Sequence, residues 1–313
     1  MPASSVARPS QRVERVLALR SFPGLALVDP AHLAVMAEVA EERSFRKGEA
    51  LLTLGTPVHS MHLIRRGDVA ILREGVAVRT FRGGDIVGAI AALTRTPEGQ
   101  HVLALTDTTT FEIEVSDFEE VLEESFALLL AALRGTLRGA LECRLQLPAD
   151  AGYTAPPPEP TRTTTELGLV ERVLFLRRLN AFGSPRVEAL AELAREMTEV
   201  AFRAGTQIWR VGEPAPYSLV VWSGVISAIT ETGQRFRFGP DSVVGGIDSI
   251  AAEPRWYIAR AETDVVALRG EAALLMDVIE DHPDMGIAML RSAAGSLTDL
   301  YAKVDRLALE GRS

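Results

Sequence analysis

Few residues in this chain could carry out metal or nucleophilic chemistry. His59, His62 and His101 form the one histidine cluster that the sequence suggests, and imidazole nitrogens are common ligands of zinc. A three-residue spacing on a β-strand points His59 and His62 to opposite faces, which disfavours binding of one ion by both. Cys143 is the only cysteine, and no serine-nucleophile elbow, phosphate-binding loop or zinc-type cysteine spacing is present. We therefore predict no catalytic residue, no bound metal and no cofactor.

The elements that could position functional residues are duplicated. The segment VERVLALR at 13–20 returns as VERVLFLR at 170–177, an offset of 157 positions. The same offset aligns glycines and prolines far along the chain: Gly55 with Gly212, Pro57 with Pro214, Gly67 with Gly224, Gly88 with Gly245, and Pro97 with Pro254. A similar composition alone would not align these glycines and prolines at one constant offset, so the sequence predicts a repeated domain. The predicted copies are residues 11–146 and 168–310.

Residues 147–167 separate the two copies. This segment is rich in proline, threonine and alanine. Proline disfavours helix, and the composition offers little to bury, so we predict an extended linker.

The composition of the chain limits the classes of partner that we expect it to bind. It has 313 residues, of which 47% are hydrophobic, and a net charge of −9 without a basic run. Nucleic-acid binding needs a basic face, so we predict no nucleic-acid partner. The longest apolar run, residues 126–133, is too short to cross a bilayer. The N-terminus has no apolar core of the signal-peptide kind, and we predict a cytoplasmic protein that does not bind membranes.

The hydrophobic periodicity changes in the same order in each copy. Residues 11–20 and 30–42 have the spacing of amphipathic helices. Short β-rich segments broken by Gly, Asp and Pro then run from residue 45 to about 114, before the helical period returns. This order predicts a mainly β fold with flanking helices, in which each copy is a small antiparallel roll of the jelly-roll type. No residues remain after the second copy for a helix-turn-helix module.

A spaced motif in each copy carries a family resemblance. It has the form F-x-x-G-x-x-x-x-x-x-G-x-P followed by a later glycine, and its residues are Phe45, Gly48, Gly55, Pro57 and Gly67 in copy one and Phe202, Gly205, Gly212, Pro214 and Gly224 in copy two. With the order helix, roll, helix, this motif resembles the first half of the cyclic nucleotide-binding domain. The resemblance covers nearly all of the chain outside the linker and the extreme ends. It implies two tandem β-rolls, as in regulatory subunits of cyclic-nucleotide-dependent kinases.

In that family, a cassette between two strands holds the ligand, and it reads roughly F-G-E-[L/I]-A-L-[L/I] and, further on, P-R. The resemblance implies that the glycine starts a short helix facing the phosphate, that the Glu binds the ribose and that the Arg binds the phosphate. Copy one, VGAIAALTRTPEGQH at 87–101, keeps Gly88 and Pro97 but has Ala89 and Glu98 at the Glu and Arg positions. Two like charges about 4 Å apart repel by roughly 4 kcal/mol at an effective dielectric of 20. We therefore predict a vestigial cassette that does not bind cyclic nucleotide.

Copy two, VGGIDSIAAEPRWYI at 244–258, lacks the ribose-binding Glu but keeps the arginine. The residues that the resemblance assigns to a ligand site are Gly245, Gly246, Ile247, Arg255 and Trp256. Asp248 adds an opposing charge nearby, and the Trp256 ring could either fill the pocket or stack on a base. A cyclic nucleotide or another anion could therefore bind here, and a structural role for Arg255 is the alternative.

The last helix of the sequence has a heptad pattern. Leu290, Leu297 and Val304 recur every seven residues, with Tyr301 four places after Leu297. This pattern is typical of a short coiled coil, so we predict dimerisation through these four residues. Packing of the helix against its own roll explains the pattern equally well.

These observations lead to one main functional hypothesis and one alternative. The main hypothesis is a non-enzymatic interaction, scaffold or regulatory module that binds a partner protein or a second copy of itself. The alternative is a signalling regulator that senses a nucleotide or other anion through Arg255 of copy two. A metal-dependent jelly-roll enzyme is the least favoured hypothesis.

Overall fold

A computed structural model describes residues 9–26, 28–95, 101–150 and 167–310. Most of the predicted linker, residues 151–166, lies outside the described residues, as do Pro97 and Glu98 of the first cassette. The chain forms two compact units: the first comprises Met1–Ala132 with Ala294–Ser313, and the second comprises Leu133–Ala293.

Over its described residues, copy one is a roll of eight strands, with helices before and after it in the chain. Its elements are α1 (Pro9–Arg20), α2 (Pro30–Val39), β1 (Glu41–Phe45), β2 (Ala50–Leu52), β3 (Ser60–Arg66), β4 (Asp68–Arg73), β5 (Val76–Arg82), β6 (Ile86–Val87), α3 (Ala89–Leu93), β7 (His101–Ala104), β8 (Thr108–Glu114), α4 (Val115–Glu124) and α5 (Phe126–Gln146). The predicted second helix ends three residues early, at Val39, because the chain from Glu41 pairs with β8 as a strand.

The strands of copy one form two antiparallel sheets with nested pairing. The sheet orders are β1-β8-β3-β6 and β2-β7-β4-β5. The first strand thus pairs with the last, and the second with the last but one, which is the jelly-roll pattern. In the first sheet, His62 lies opposite Glu112, and Arg43 lies opposite Thr110.

Copy two repeats this order at the same sequence offset. Its elements are α6 (Leu169–Leu176), α7 (Val187–Glu196), β9 (Thr198–Phe202), β10 (Gln207–Trp209), β11 (Tyr217–Ser223), β12 (Ile226–Thr230), β13 (Arg235–Phe238), β14 (Val243–Val244), α8 (Gly246–Ala251), β15 (Tyr257–Ala261), β16 (Val265–Glu271), α9 (Ala272–Asp281) and α10 (Pro283–Glu310). Its sheets have the orders β14-β11-β16-β9 and β10-β15-β12-β13. The predicted fold, two β-rolls with flanking helices, is confirmed.

Each roll encloses its own apolar core. In copy one, Leu52, Ile64, Val69 and Val102 are among the buried residues of the roll. In copy two, Trp209 and Tyr257 join the aliphatic core. The core of copy two is therefore the more aromatic, and its rings lie beside the cassette.

The predicted dimer residues of the last helix are largely in contact with the chain itself. Leu290 and Leu297 are buried, while Tyr301 and Val304 are half-buried. The Tyr301 ring lies 3.8 Å from the guanidinium carbon of Arg79. Dimerisation through these residues stays a prediction, and most of the stripe is already covered within the chain.

Candidate functional site

The cassette of copy two begins at Gly245, where strand β14 turns into the short helix α8. Gly245 has φ +75°, in the left-handed region that favours glycine. A Cβ atom at this position would collide with Nη1 of Arg255 and would lie 3.1 Å from the Trp209 ring. The turn that the sequence predicted is therefore present, and Arg255 packs directly against it.

Arg255 is buried inside copy two. Only 1% of the residue's surface is exposed. Nη1 lies 2.9 Å from Oδ2 of Asp248 and donates to the carbonyl oxygen of Gly245 at 3.2 Å, while Nη2 donates to the carbonyl oxygen of Tyr217. The guanidinium carbon lies 3.9 Å from the centroid of the Trp209 ring. The cation that the family resemblance assigns to a phosphate is thus held by groups of the protein.

Asp248 is the anion that pairs with this arginine. It lies on α8 and is buried. Burial raises the pKa of Asp248, and the adjacent Arg255 guanidinium opposes that shift. The sequence places Asp248 near the site as an opposing charge, and in the structure the two side chains form a buried ion pair.

Two aromatic residues follow Arg255 and complete the wall of the cassette. Trp256 is half-buried, and its ring makes edge contacts with Phe236 at 5.6 Å and with Tyr257 at 4.9 Å between centroids. The Tyr257 hydroxyl accepts a hydrogen bond from the backbone amide of Gly245 at 2.8 Å. Burial raises the pKa of Tyr257, so the hydroxyl stays neutral. Trp256 therefore packs on neighbouring rings, and one amide of the glycine turn is already hydrogen-bonded.

The cassette of copy one has the same turn but a different set of side chains. Gly88 adopts φ +85° and is followed by α3, which begins at Ala89. Buried Ala91 stands where copy two has Asp248, Leu52 where it has Trp209, and Ser60 where it has Tyr217. The arginine and the three side chains that surround it in copy two are thus all absent from the equivalent positions of copy one.

Copy one instead has a polar cluster that sequence analysis did not identify. His62 is 2% exposed, and its Nδ1 lies 3.2 Å from the Thr110 hydroxyl. Glu112 accepts hydrogen bonds from Ser60 at 2.8 Å and from Arg43 at 2.6 Å, and one of its oxygens lies 4.0 Å from His62 Nε2. The repeat held a signal for this cluster, because His62 aligns with Leu219 and Thr110 with Ala267.

The charges of this cluster shift the pKa values of two of its members. Burial lowers the pKa of His62; the Glu112 carboxylate partly opposes that shift, and Arg43 adds to it. Burial would raise the pKa of Glu112, but the hydrogen bonds from Ser60 and Arg43, together with the charges of His62 and Arg43, lower the pKa overall. The cluster therefore favours neutral His62 beside ionised Glu112.

Among the described residues there is neither a metal-binding cluster nor a membrane-spanning helix. Within residues 9–26, 28–95, 101–150 and 167–310, no three His, Cys, Asp or Glu side chains are grouped closely enough to hold a metal ion. Over the same ranges, no helix is both long and apolar enough to pass through a membrane.

Comparisons with known proteins agree with the observed fold. The family model described as "Cyclic nucleotide-binding domain" matches residues 42–125 and 199–282. An uncharacterized NTE family protein of Mycobacterium tuberculosis is 29% identical over 133 residues, which is 42% of this chain and 23% of that protein. A cAMP-dependent protein kinase regulatory subunit of Colletotrichum orbiculare is 28% identical over 106 residues, 33% of this chain and 27% of that protein. The match thus spans about a quarter of the length of these curated relatives.

A solved structure also aligns with the chain. The regulatory domain of Toxoplasma gondii PKA, crystallised with cAMP, is 15% identical and covers 88% of this chain and 95% of its own, with a TM-score of 0.34. The family model matches more than half of the residues, at the same two places where the structure has its rolls. The chain therefore belongs to the cyclic nucleotide-binding domain family, of which it contains two tandem copies.

Proposed function

We propose that this chain is a non-enzymatic regulatory and interaction module of the cytoplasm, whose two cassettes do not bind cyclic nucleotide in the family's manner. The observation that carries this proposal is the ion pair of copy two. Both side chains of the pair, Arg255 and Asp248, are 1% exposed, and their nearest charged atoms are 2.9 Å apart. The carboxylate of Asp248 is thus already paired with the guanidinium that a ligand phosphate would need.

The energetic argument follows from the burial of the pair. Removing one partner of a buried ion pair costs about 3–5 kcal/mol, because the other charge is left uncompensated. A phosphate that displaced Asp248 from Arg255 would have to overcome a penalty of this order. Since about 1.4 kcal/mol corresponds to a tenfold change in affinity, this penalty reduces affinity by at least a hundredfold. Gly246 also leaves the cassette without the acceptor for the ribose hydroxyl.

Copy one lacks the cation altogether. Glu98 stands at the arginine position in the sequence, and Ala89 stands at the position of the ribose-binding Glu. The buried alanine at position 91 offers no charge in place of either. The first cassette therefore retains the shape of the family's turn without its ligand chemistry.

The regulatory part of the proposal draws on the relatives. One matched protein is named as a cAMP-dependent protein kinase regulatory subunit, a name that describes one part of a larger protein assembly. A chain that keeps two rolls, with an internally paired cassette arginine in one and no arginine at that position in the other, is suited to the same kind of role. We therefore expect its partner to be a protein.

One observation favours the alternative, a ligand sensor at Arg255. Nε of Arg255 and Oδ1 of Asp248 have no hydrogen-bond partner among the described residues. The pair is thus joined through one nitrogen and one oxygen only. A nucleotide or other anion that bound at Gly245, Gly246, Ile247 and Trp256 could use the remaining Nε hydrogen.

Calorimetric titration of the intact chain with cyclic AMP and cyclic GMP separates the two functions. We expect no binding heat for the native protein. We expect weak but measurable binding for Asp248→Ala, which copies Ala91 of copy one and releases the guanidinium. A native dissociation constant in the micromolar range that is lost in Arg255→Ala, and kept in the control Arg260→Ala at an exposed arginine, would refute the proposal and establish the sensor.

A further inference from the structure

We propose that each roll carries a docking surface for a terminal helix, and that the helix each roll binds is the one that follows the other copy. Each of the two compact units contains one roll together with part of the helix that follows the other roll. The unit that contains roll two begins at Leu133, inside helix α5, and the unit that contains roll one ends with the last part of helix α10. The polar contacts within each unit show why these segments belong there.

In the second unit, arginines of α5 bind the end of the cassette helix α8. Nε of Arg134 donates to the carbonyl oxygen of Ile250 at 3.1 Å, and Nη2 of Arg138 donates to that of Ala251 at 3.1 Å. Nε of Arg138 also forms an ion pair with Glu253 at 2.7 Å. The last carbonyls of a helix have no partner inside the helix and carry partial negative charge, so cationic side chains stabilise them.

The end of α5 also contacts strand β13 of roll two and the chain just before it. Gln234, which is 1% exposed, donates from its side-chain amide to the carbonyl oxygen of Arg144 at 2.8 Å and to that of Leu147. The guanidinium carbon of Arg144 lies 5.5 Å from the centroid of the Phe236 ring. Roll two therefore contacts α5 and the residue after it from Arg134 to Leu147.

In the first unit, the end of α10 binds the hairpin of β4 and β5. Oδ2 of Asp305 lies 3.1 Å from Nη2 of Arg79 and 3.8 Å from Nε of Arg73. The Asp305 side chain is only 7% exposed. The guanidinium carbon of Arg79 also lies 3.8 Å from the centroid of the Tyr301 ring, which is within the range of a cation–π contact.

The two docked helices use equivalent positions. The repeat offset of 157 carries Arg144 of α5 onto Tyr301 of α10, and Arg79 of β5 onto Phe236 of β13. The helix contributes the cation and the strand the ring in one unit, whereas the helix contributes the ring and the strand the cation in the other. The same contact is thus made twice with the roles reversed, which indicates one docking mode rather than two unrelated contacts.

This docking mode identifies the partner of the terminal helices. A heptad pattern on α10 predicts either self-association or packing on a roll, and the contacts of Tyr301 and Asp305 are with roll one. The occupant of each docking surface is therefore a helix of the sister copy in the same chain. The two copies are expected to stay together even when the covalent link between them is cut.

Cleavage of the full-length chain tests this proposal. A specific protease site is placed within residues 151–166, the purified protein is cleaved, and its size is measured by chromatography. We expect the two fragments to elute together at the size of the intact chain. Two separate fragments, each folded by circular dichroism and each eluting at half that size, would overturn the proposal.

Variants of the docked residues give a second, independent readout. Asp305→Asn in the cleaved protein should weaken fragment association at least tenfold, whereas Asp299→Asn at an exposed position of the same helix should leave it unchanged. In the uncleaved chain, Asp305→Asn should speed hydrogen exchange in strands β4 and β5 of copy one. Equal behaviour of the Asp305 and Asp299 variants in both measurements would refute the assigned contact.

Discussion

At the scale of residues, Arg255 shows how far the sequence determines a site. The cassette pattern assigned Arg255 to a ligand site that begins at Gly245, and in the structure Nη1 of Arg255 donates to the carbonyl oxygen of Gly245. The pattern could not show that the guanidinium lies on the Trp209 ring and pairs with Asp248, since β10, α8 and the start of β15 meet only in the folded roll. The polar cluster at His62 was missed for a related reason, because alternation alone does not distinguish a buried polar residue from an exposed one.

The ion pair of copy two predicts a non-additive mutational effect. Arg255→Leu should lower the free energy of unfolding by about 3–5 kcal/mol, because it leaves the Asp248 carboxylate buried and unpaired. The double variant Arg255→Leu with Asp248→Ala should recover most of that loss, since no buried charge remains. Urea denaturation followed by tryptophan fluorescence measures this directly, because all three tryptophans lie in copy two.

The control for this cycle is Arg260→Ala, which removes an exposed arginine from the same strand region. It should change stability by less than about 0.5 kcal/mol. Equal losses in the Arg255 and Arg260 variants would contradict a structural role for the pair.

His62 predicts a pH dependence of copy one. Burial lowers the pKa of His62 in the fold below its ordinary value of 6.5. As the pH falls below 6.5, the unfolded chain therefore binds a proton that the folded chain does not, and stability decreases. The slope is at most about 1.4 kcal/mol per pH unit for one group. The pKa of Glu112 is also lowered from its ordinary value of 4.5. Protonation of Glu112 therefore reduces stability only below about that pH, which is lower than the range in which His62 acts.

Replacement of the histidine tests this assignment. His62→Leu, which copies Leu219, should flatten the pH dependence between neutral pH and the onset of Glu112 protonation. The exposed residue His59 provides the control variant His59→Gln. Because copy one has no tryptophan, hydrogen exchange of strands β3 and β8 is the suitable measurement. An unchanged pH dependence in His62→Leu would show that another group titrates.

At the scale of elements, the glycines at the turns were the most informative part of the sequence. The strands and helices follow in the predicted order because turns are local and need residues that adopt positive φ. The predicted boundary at residue 45 was wrong by four residues. β1 is largely exposed and charged, so its apolar pattern is weak, and its pairing with β8 is a tertiary effect.

Two glycines of copy two differ in what surrounds them. Gly212 and Gly224 have φ +81° and +85°, but a Cβ at Gly212 would meet nothing within 4 Å. A Cβ at Gly224 would collide with the carbonyl oxygen of Asp264 and lie 2.9 Å from the Val265 Cα. Both alanine variants incur about 1–2 kcal/mol for the left-handed backbone, and Gly224→Ala should lose a further 1–3 kcal/mol, roughly, to overpacking. Tryptophan-detected urea denaturation measures both, and an equal loss in the two variants would contradict the close approach.

At the scale of the whole molecule, the duplication was readable because the offset of 157 is constant from the first helix of a copy to its last strand. The terminal helices were not fully predictable, because a heptad stripe fits either a second chain or a roll. The contacts of Asp305 and Arg138 distinguish these cases, and both depend on residues far apart in sequence. The role of Arg255 was also ambiguous from sequence, since the retained arginine fits either a ligand-binding or a structural role, and its pairing with Asp248 depends on the folded roll.

A crystal structure of the intact chain grown with an excess of cyclic AMP would show directly whether the cassettes bind nucleotide. We predict that Arg255 and Asp248 remain paired at about hydrogen-bond distance and that neither cassette contains nucleotide. A cyclic phosphate bound to the Arg255 guanidinium, with Asp248 displaced, would contradict this prediction.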